Sequence, residues 1–172
     1  MPFAYYDRLS PRQKKIYQAS DRIARVQLPA PEALWPAVAE LRGALASASR
    51  PATQRAAAGL MAGVHHQLGV PPVDLVLLAA RPSRSWGELH GLYEPPERGR
   101  KPRITLWMRT AQRRQVVAFR TFLRTLLHEV CHHLDYELLD LADSFHTEGF
   151  YKRESSLFHQ LVPPPKAEEA AL

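Results

Sequence analysis

Within Thr121–Asp135 the chain carries His128-Glu129-Val-Cys-His132, two histidines four residues apart with a carboxylate beside the first. On a helix that spacing projects both imidazoles from one face about a turn apart, where they can share a tetrahedral metal. Glu129 is turned away from the pair. It can therefore accept a proton from a metal-activated water without closing the open coordination position.

The pentapeptide carries weight only if the surrounding segment is a helix with a separate buried face. Phe119, Leu123, Leu126, Leu127, Val130, Leu134 and Leu138 recur at the three-and-four spacing of such a stripe. The histidines fall on nearly the opposite side. Asp135, three residues after His132, shares the ligand face and is a candidate acceptor that orients an imidazole, or else a solvated helix carboxylate. His133 and Cys131 read as packing or surface residues.

A third ligand is expected where the chain turns back. His146 is the first candidate, standing just before a second helical pattern whose Phe150, Leu157 and Leu161 share its face. Glu154 is the runner-up, on that same face two turns along; otherwise it is a salt-bridge partner for an arginine. Glu148 is a weaker option, more simply an acidic residue in a helix first turn, where the dipole favours it.

His128-Glu-x-x-His132 followed by His146-x-x-x-Phe150 resembles the SprT-like group of small zinc metallopeptidases, over roughly residues 70 to 162. The resemblance implies a zinc-dependent endopeptidase with one Zn2+ per chain, held by His128, His132 and His146, with Glu129 as general base and a protein or peptide as substrate. Thr147 stands where such proteins often have Gly, and a single cysteine leaves no ligands for the zinc ribbon that often follows the catalytic domain.

The 172 residues suffice for one core, expected over 1–162, with a helical part over 1–70, a sheet with the metal-site helices over 71–162, and a flexible tail over 163–172. Ser10-Pro11-Arg-Gln13 carries the signals of a helix start, with a helix to about Ile23. A second helix is expected over 32–48, with Leu34, Val38, Leu41 and Leu45 buried, and a third over 52–68, stopped at Gly69. His65 and His66 suit the C-terminal end of that helix, and no chemistry is assigned to the N-terminal part.

Three strands are expected: Val73–Ala80 as an inner strand, 86–93, and Arg103–Arg109 as a half-exposed edge. By analogy with zincins, whose edge strand before the active-site helix takes up substrate, Ile104, Thr105, Leu106 and Trp107 are the expected substrate strand. The fold class expected is α+β and zincin-like: N-terminal helices, a small, mostly antiparallel three-stranded sheet on the HExxH helix, and a closing C-terminal helix. His90, Tyr136 and Tyr151 are candidate oxyanion donors, none preferred.

The net charge of +6 comes partly from clusters at Arg98–Arg103 and Arg109–Arg114. Without interleaved aromatics or a recognition motif they read as solvated loops, so nucleic acid is the weaker partner reading. No apolar run approaches the ~20 residues of a membrane span. The N-terminus lacks signal-peptide features and one cysteine excludes an internal disulfide, so a cytoplasmic, membrane-free protein is expected. Two other functions compete with the peptidase: a non-catalytic zinc-binding module and a basic nucleic-acid-associated protein.

Overall fold

Helix α1 (Pro11–Asp21) starts as its sequence dictates. Ser10 Oγ accepts the Gln13 N–H at 3.2 Å, Gln13 Oε1 accepts the Ser10 N–H at 3.0 Å, and Pro11 fills the first turn. This is a computed structural model, and it describes residues 1–84 and 87–165. Trp86, expected to open a strand, and the tail over 166–172 lie outside the described residues.

A turn of 3-10 helix (Pro31–Leu34) leads into α2 (Trp35–Ala46), and all four apolar residues expected to be buried are so. Helix α3 (Arg50–Leu68) begins two residues before the expected start. The reason is local: Ser49 caps it by accepting the Ala52 N–H, and Pro51 sits where a missing N–H costs nothing. It ends at Gly69, as expected.

The strands are β1 (Asp74–Ala80), a short hairpin of β2 (Ser83–Arg84) and β3 (Gly87–Glu88), then β4 (Gly91–Glu94) and β5 (Arg103–Arg109). The main sheet has the order β1-β5-β4, with β1 parallel to β5 and β4 antiparallel to it. It is therefore mixed, not mostly antiparallel, and the expected inner and edge strands exchange places. The alternation of residue types in β5 misled because Thr105 and Trp107 are 7% and 8% exposed: both are strand formers that accept burial on either face. Conversely β1 lies at an edge, with Leu78 at 41%. The single strand expected up to Tyr93 is broken at Leu89–His90, so only Gly91–Glu94 joins the main sheet.

Helices α4 (Phe119–Glu137) and α5 (Glu148–Leu161) complete an α+β architecture. Phe122, Leu123, Leu126, Leu127, Val130 and Leu134 of α4 are buried in one cluster with Phe150, Leu157, Phe158 and Leu161 of α5. Ile104, Leu106 and Met108 of β5, and Leu41 and Leu60 from the N-terminal helices, belong to the same cluster. At about 1.5–3 kcal/mol for each large apolar side chain, that burial orients α4. Leu138 falls just past the helix and is exposed, so the buried stripe stops at Leu134. No helix of the described residues is long and apolar enough to cross a membrane.

His65 is a cost within this core. Its ring lies against His133, 5.0 Å between centroids, and neither ring nitrogen has a hydrogen-bond partner. Burial, and secondarily His133, push its pKa from 6.5 down to about 4. Because the folded value lies below the unfolded one, stability is lost as pH falls from about 6.5 towards 4. His65→Leu removes that term and two unsatisfied polar atoms. It is expected to raise stability by about 1–3 kcal/mol at pH 7 and to flatten the loss between pH 6.5 and 4, measured by urea unfolding at several pH values.

Candidate metal centre

Helix periodicity carries His128 and His132 to one face of α4, and the return loop brings up the third imidazole. That loop is tightly built. The N–H groups of Leu138 and Leu139 both reach the Leu134 carbonyl, Asp140 adopts a left-handed φ of 50°, and the Leu141 N–H returns to the Asp135 carbonyl. The chain then runs back along the ligand face to His146. Thr147 ends the loop as N-cap of α5, its hydroxyl accepting the Phe150 N–H at 2.9 Å, which accounts for a threonine after the third histidine.

The three Nε2 atoms converge. His146 Nε2 lies 3.0 Å from Nε2 of His128 and 3.0 Å from Nε2 of His132. Three nitrogens at about 2.0–2.1 Å from a tetrahedral zinc would stand roughly 3.3–3.4 Å apart, so a small outward shift admits an ion. Phe150, fully buried, lies beneath all three rings at 4.8–5.2 Å between centroids.

The outer nitrogens decide the protonation of the inner ones. His128 Nδ1 lies 3.0 Å from Glu154 Oε2, a carboxylate that can only accept, so Nδ1 carries the hydrogen. His132 Nδ1 lies 2.7 Å from Ser144 Oγ, whose own hydrogen goes to Asp135 Oδ2 at 2.8 Å, so again Nδ1 donates. In the neutral form of each ring Nε2 is then the atom that offers a lone pair, and both Nε2 atoms face the same point. Burial, His146 and His128 hold the His132 pKa down to about 3; burial, then His128, also lowers that of His146. These two rings are neutral at pH 7, the form that ligates. Lone pairs crowded together with their outer N–H groups anchored are the donor set of a cation site, and His128, His132 and His146 could hold a metal ion.

Behind His132 the chain of partners runs deeper. Asp135, fully buried, pairs with Arg153 at 2.9 Å, and Arg153 also donates to the Ser20 carbonyl, the Ile23 carbonyl and Ser20 Oγ. The C-terminal end of α1 is thereby tied through α5 to α4 and the ligand. Close packing makes this reachable: a Cβ on Gly149 would sit 2.5 Å from the Asp21 carbonyl oxygen. His146 is steadied separately, its carbonyl accepting from the Tyr5 hydroxyl at 2.8 Å.

Glu129 lies beside the triad and is 6% exposed. Strand β4 crosses directly over it, and a Cβ on Gly91 would approach Glu129 Oε1 to 2.7 Å, so a side chain there would push the carboxylate from this position. Burial pushes the Glu129 pKa up to about 7, against the pull of His128 and of the Tyr93 N–H that the carboxylate accepts.

The expected site residues thus separate. His128, His132 and His146 come together with Glu129 alongside. Glu154, the alternative ligand, lies behind His128 as its acceptor. Asp135 acts on His132 through Ser144 instead of directly. Glu148 is exposed and pairs with Lys152 at 2.7 Å. Ile104, Thr105, Leu106 and Trp107 are not at an edge: both ladders of β5 are taken and the four residues are buried, so the expected substrate strand is corrected. His90 and Tyr151 line a groove of about 460 Å³ beside His128 and Glu129, whereas Tyr136 stacks on Tyr93. Tyr93 is itself committed. His133 Nε2 engages the Pro71 carbonyl, leaving Nδ1 to accept the Tyr93 hydroxyl at 3.0 Å.

Sequence reasoning missed Ser144, Arg153, Tyr5 and Gly91. Their partners lie on other elements, and no local spacing marks them. In the basic loops Arg103 pairs with Glu94 at 2.8 Å and Arg109 donates to the Arg114 carbonyl. Comparison with family models, curated proteins and solved structures finds no match for this chain.

Ser144→Ala is expected to weaken zinc binding about 10–100-fold without unfolding the protein, read by competition with a chelating dye. Arg153→Met strands the buried Asp135 carboxylate and is expected to cost about 3–5 kcal/mol in urea unfolding.

Proposed function

We infer that this chain is a metallopeptidase of the HExxH type, the reaction implied by its SprT-like resemblance, with zinc as the metal and a zincin-like arrangement of sheet edge over metal helix. The observation that carries the reading is the pairing of three converging Nε2 atoms with a desolvated carboxylate that stands beside them without joining them. A purely structural zinc site closes its fourth position with Cys or His and has no use for such an acid.

A bound zinc supplies Lewis acidity, polarising a carbonyl and lowering the pKa of a water to about 7. Glu129 accepts the proton of the attacking water and delivers it to the departing amine. Its pKa, raised to about 7 by burial, suits both halves of that exchange near neutral pH. Tyr151 is the best-supported oxyanion donor among the earlier candidates. Its ring lies 6.0 Å from that of His128 and 5.9 Å from that of His146, and its side chain is exposed to the groove.

The substrate strand moves from β5 to β4. β4 is the sheet edge nearest the metal helix, its Gly91 touches Glu129, and Gly91 and His90 line the groove over His128. An extended peptide added to that edge brings a scissile carbonyl to the triad.

Glu129→Gln is expected to lower peptide hydrolysis by about 10²–10⁴-fold with zinc content and fold unchanged, and Tyr151→Phe by about 10²-fold with KM little altered. Both are read with a quenched-fluorescence peptide mixture. Hydrolysis that survives Glu129→Gln at the wild-type rate contradicts the reading and leaves a non-catalytic zinc module as the better one.

A further inference from the structure

The groove beside the metal centre continues along α4 towards its N-terminal end, between Leu89–Gly91 on one side and Thr121, Arg124 and Thr125 on the other. Arg124 stands one turn before His128. Its guanidinium is placed but not satisfied. The carbon of the guanidinium lies 4.0 Å from the ring centroid of the buried Phe158, a cation–π contact that holds it in place. Its ion pair with Glu154, which lines the same groove, is a loose one: Oε1 is 4.0 Å away, beyond hydrogen-bond reach, and the other oxygen of Glu154 is held by His128. No acceptor among the described residues hydrogen-bonds Arg124, although a guanidinium offers five N–H donors.

Arg153 is surrounded by acceptors and Arg103 is paired with Glu94. Arg42 and Arg120 also lie on rings, of Phe119 at 4.4 Å and Phe158 at 4.9 Å, but of the three stacked arginines only Arg124 lines the groove. A fixed, charged, donor-rich group 39% exposed to a groove that opens on the reaction centre is built to receive an anion.

We propose that Arg124 is a specificity-determining residue, the anion-binding group of a subsite for an acidic side chain of the substrate, with Thr121 and Thr125 as its wall. The inference rests on the peptidase reading in taking the occupant to be a peptide. One helical turn is about 5.4 Å, and an extended peptide advances about 3.3–3.6 Å per residue. The acidic residue therefore lies one or two positions from the scissile bond. The planar fork of Arg124 takes both carboxylate oxygens, which an amide of the same shape cannot match in charge.

The test uses full-length, zinc-loaded protein carrying Glu129→Gln, so that peptides bind without turnover. The probes are labelled, C-terminally amidated hexapeptides identical except for Glu, Gln or Lys stepped through each position, with affinity read by fluorescence anisotropy. At one position Glu is expected to bind about ten-fold tighter than Gln, the difference shrinking as salt rises. Adding Arg124→Gln is expected to abolish the difference, and Arg124→Glu to turn the preference towards Lys, an outcome that misfolding cannot produce. Equal affinity for Glu and Gln at every position, or a preference for Glu that persists in Arg124→Gln, overturns the proposal. Cleavage of the same peptides by protein with Glu129 intact keeps the two claims apart. Cleavage without a charge preference sinks the subsite and leaves the peptidase. Charge-dependent binding that never leads to cleavage sinks the peptidase and leaves the subsite.

Discussion

The buried ion pair between Arg153 and Asp135 is the constraint on which the candidate metal centre depends. Taking two charges out of water costs several kcal/mol apiece, and the attraction between them offsets that only when every remaining donor and acceptor is used. Here Asp135 accepts from Arg153 with one oxygen and from Ser144 with the other, while the two terminal guanidinium nitrogens of Arg153 also serve the end of α1. Only its Nε is left without a partner. Such a pair is weak evidence for stability and better evidence for placement. It joins α1, α4 and α5 at one point, and the next atom outward is the serine that holds His132.

From that point the centre is built by successive limits on freedom. Ser144 and Glu154 anchor the outer nitrogens of two imidazoles, Phe150 closes the space beneath them, and Tyr5 steadies the backbone of the third. Three rings remain with their inner nitrogens turned to one point, His146 Nε2 standing 3.0 Å from that of each α4 histidine. Such a group could hold a metal ion. The N-terminal part, which carries no recognisable chemistry, contributes here through Tyr5, ahead of α1, and through the carbonyls and hydroxyl at the end of α1, so it belongs to the support of the site.

What could be read from the sequence follows a physical divide. Helices were legible because their signals are local: the capping box at Ser10, the stop at Gly69 and the apolar spacing of α4 each act within a few residues. The two α4 histidines and Glu129 were legible for the same reason, and His146 because a helix start follows it directly. Strand order was not. Whether Arg103–Arg109 is inner or edge depends on which strands flank it, and Thr105 and Trp107 suit either place. Ser144 and Arg153 were invisible because a hydrogen-bond chain across three helices leaves no periodic trace, and Gly91 because a close approach is a property of two elements at once.

Metal content is the measurement that bears most directly on this centre. Elemental analysis would compare wild type, His146→Ala and Glu154→Ala, each purified and re-equilibrated with zinc at matched protein concentration. Three converging imidazoles with Glu154 behind them predict about one zinc per chain in the wild type, loss of most of it in His146→Ala, and retention in Glu154→Ala at reduced affinity. A wild type that stays metal-free when zinc is supplied, or a His146→Ala variant that keeps its zinc while Glu154→Ala loses it, would contradict the three-histidine centre.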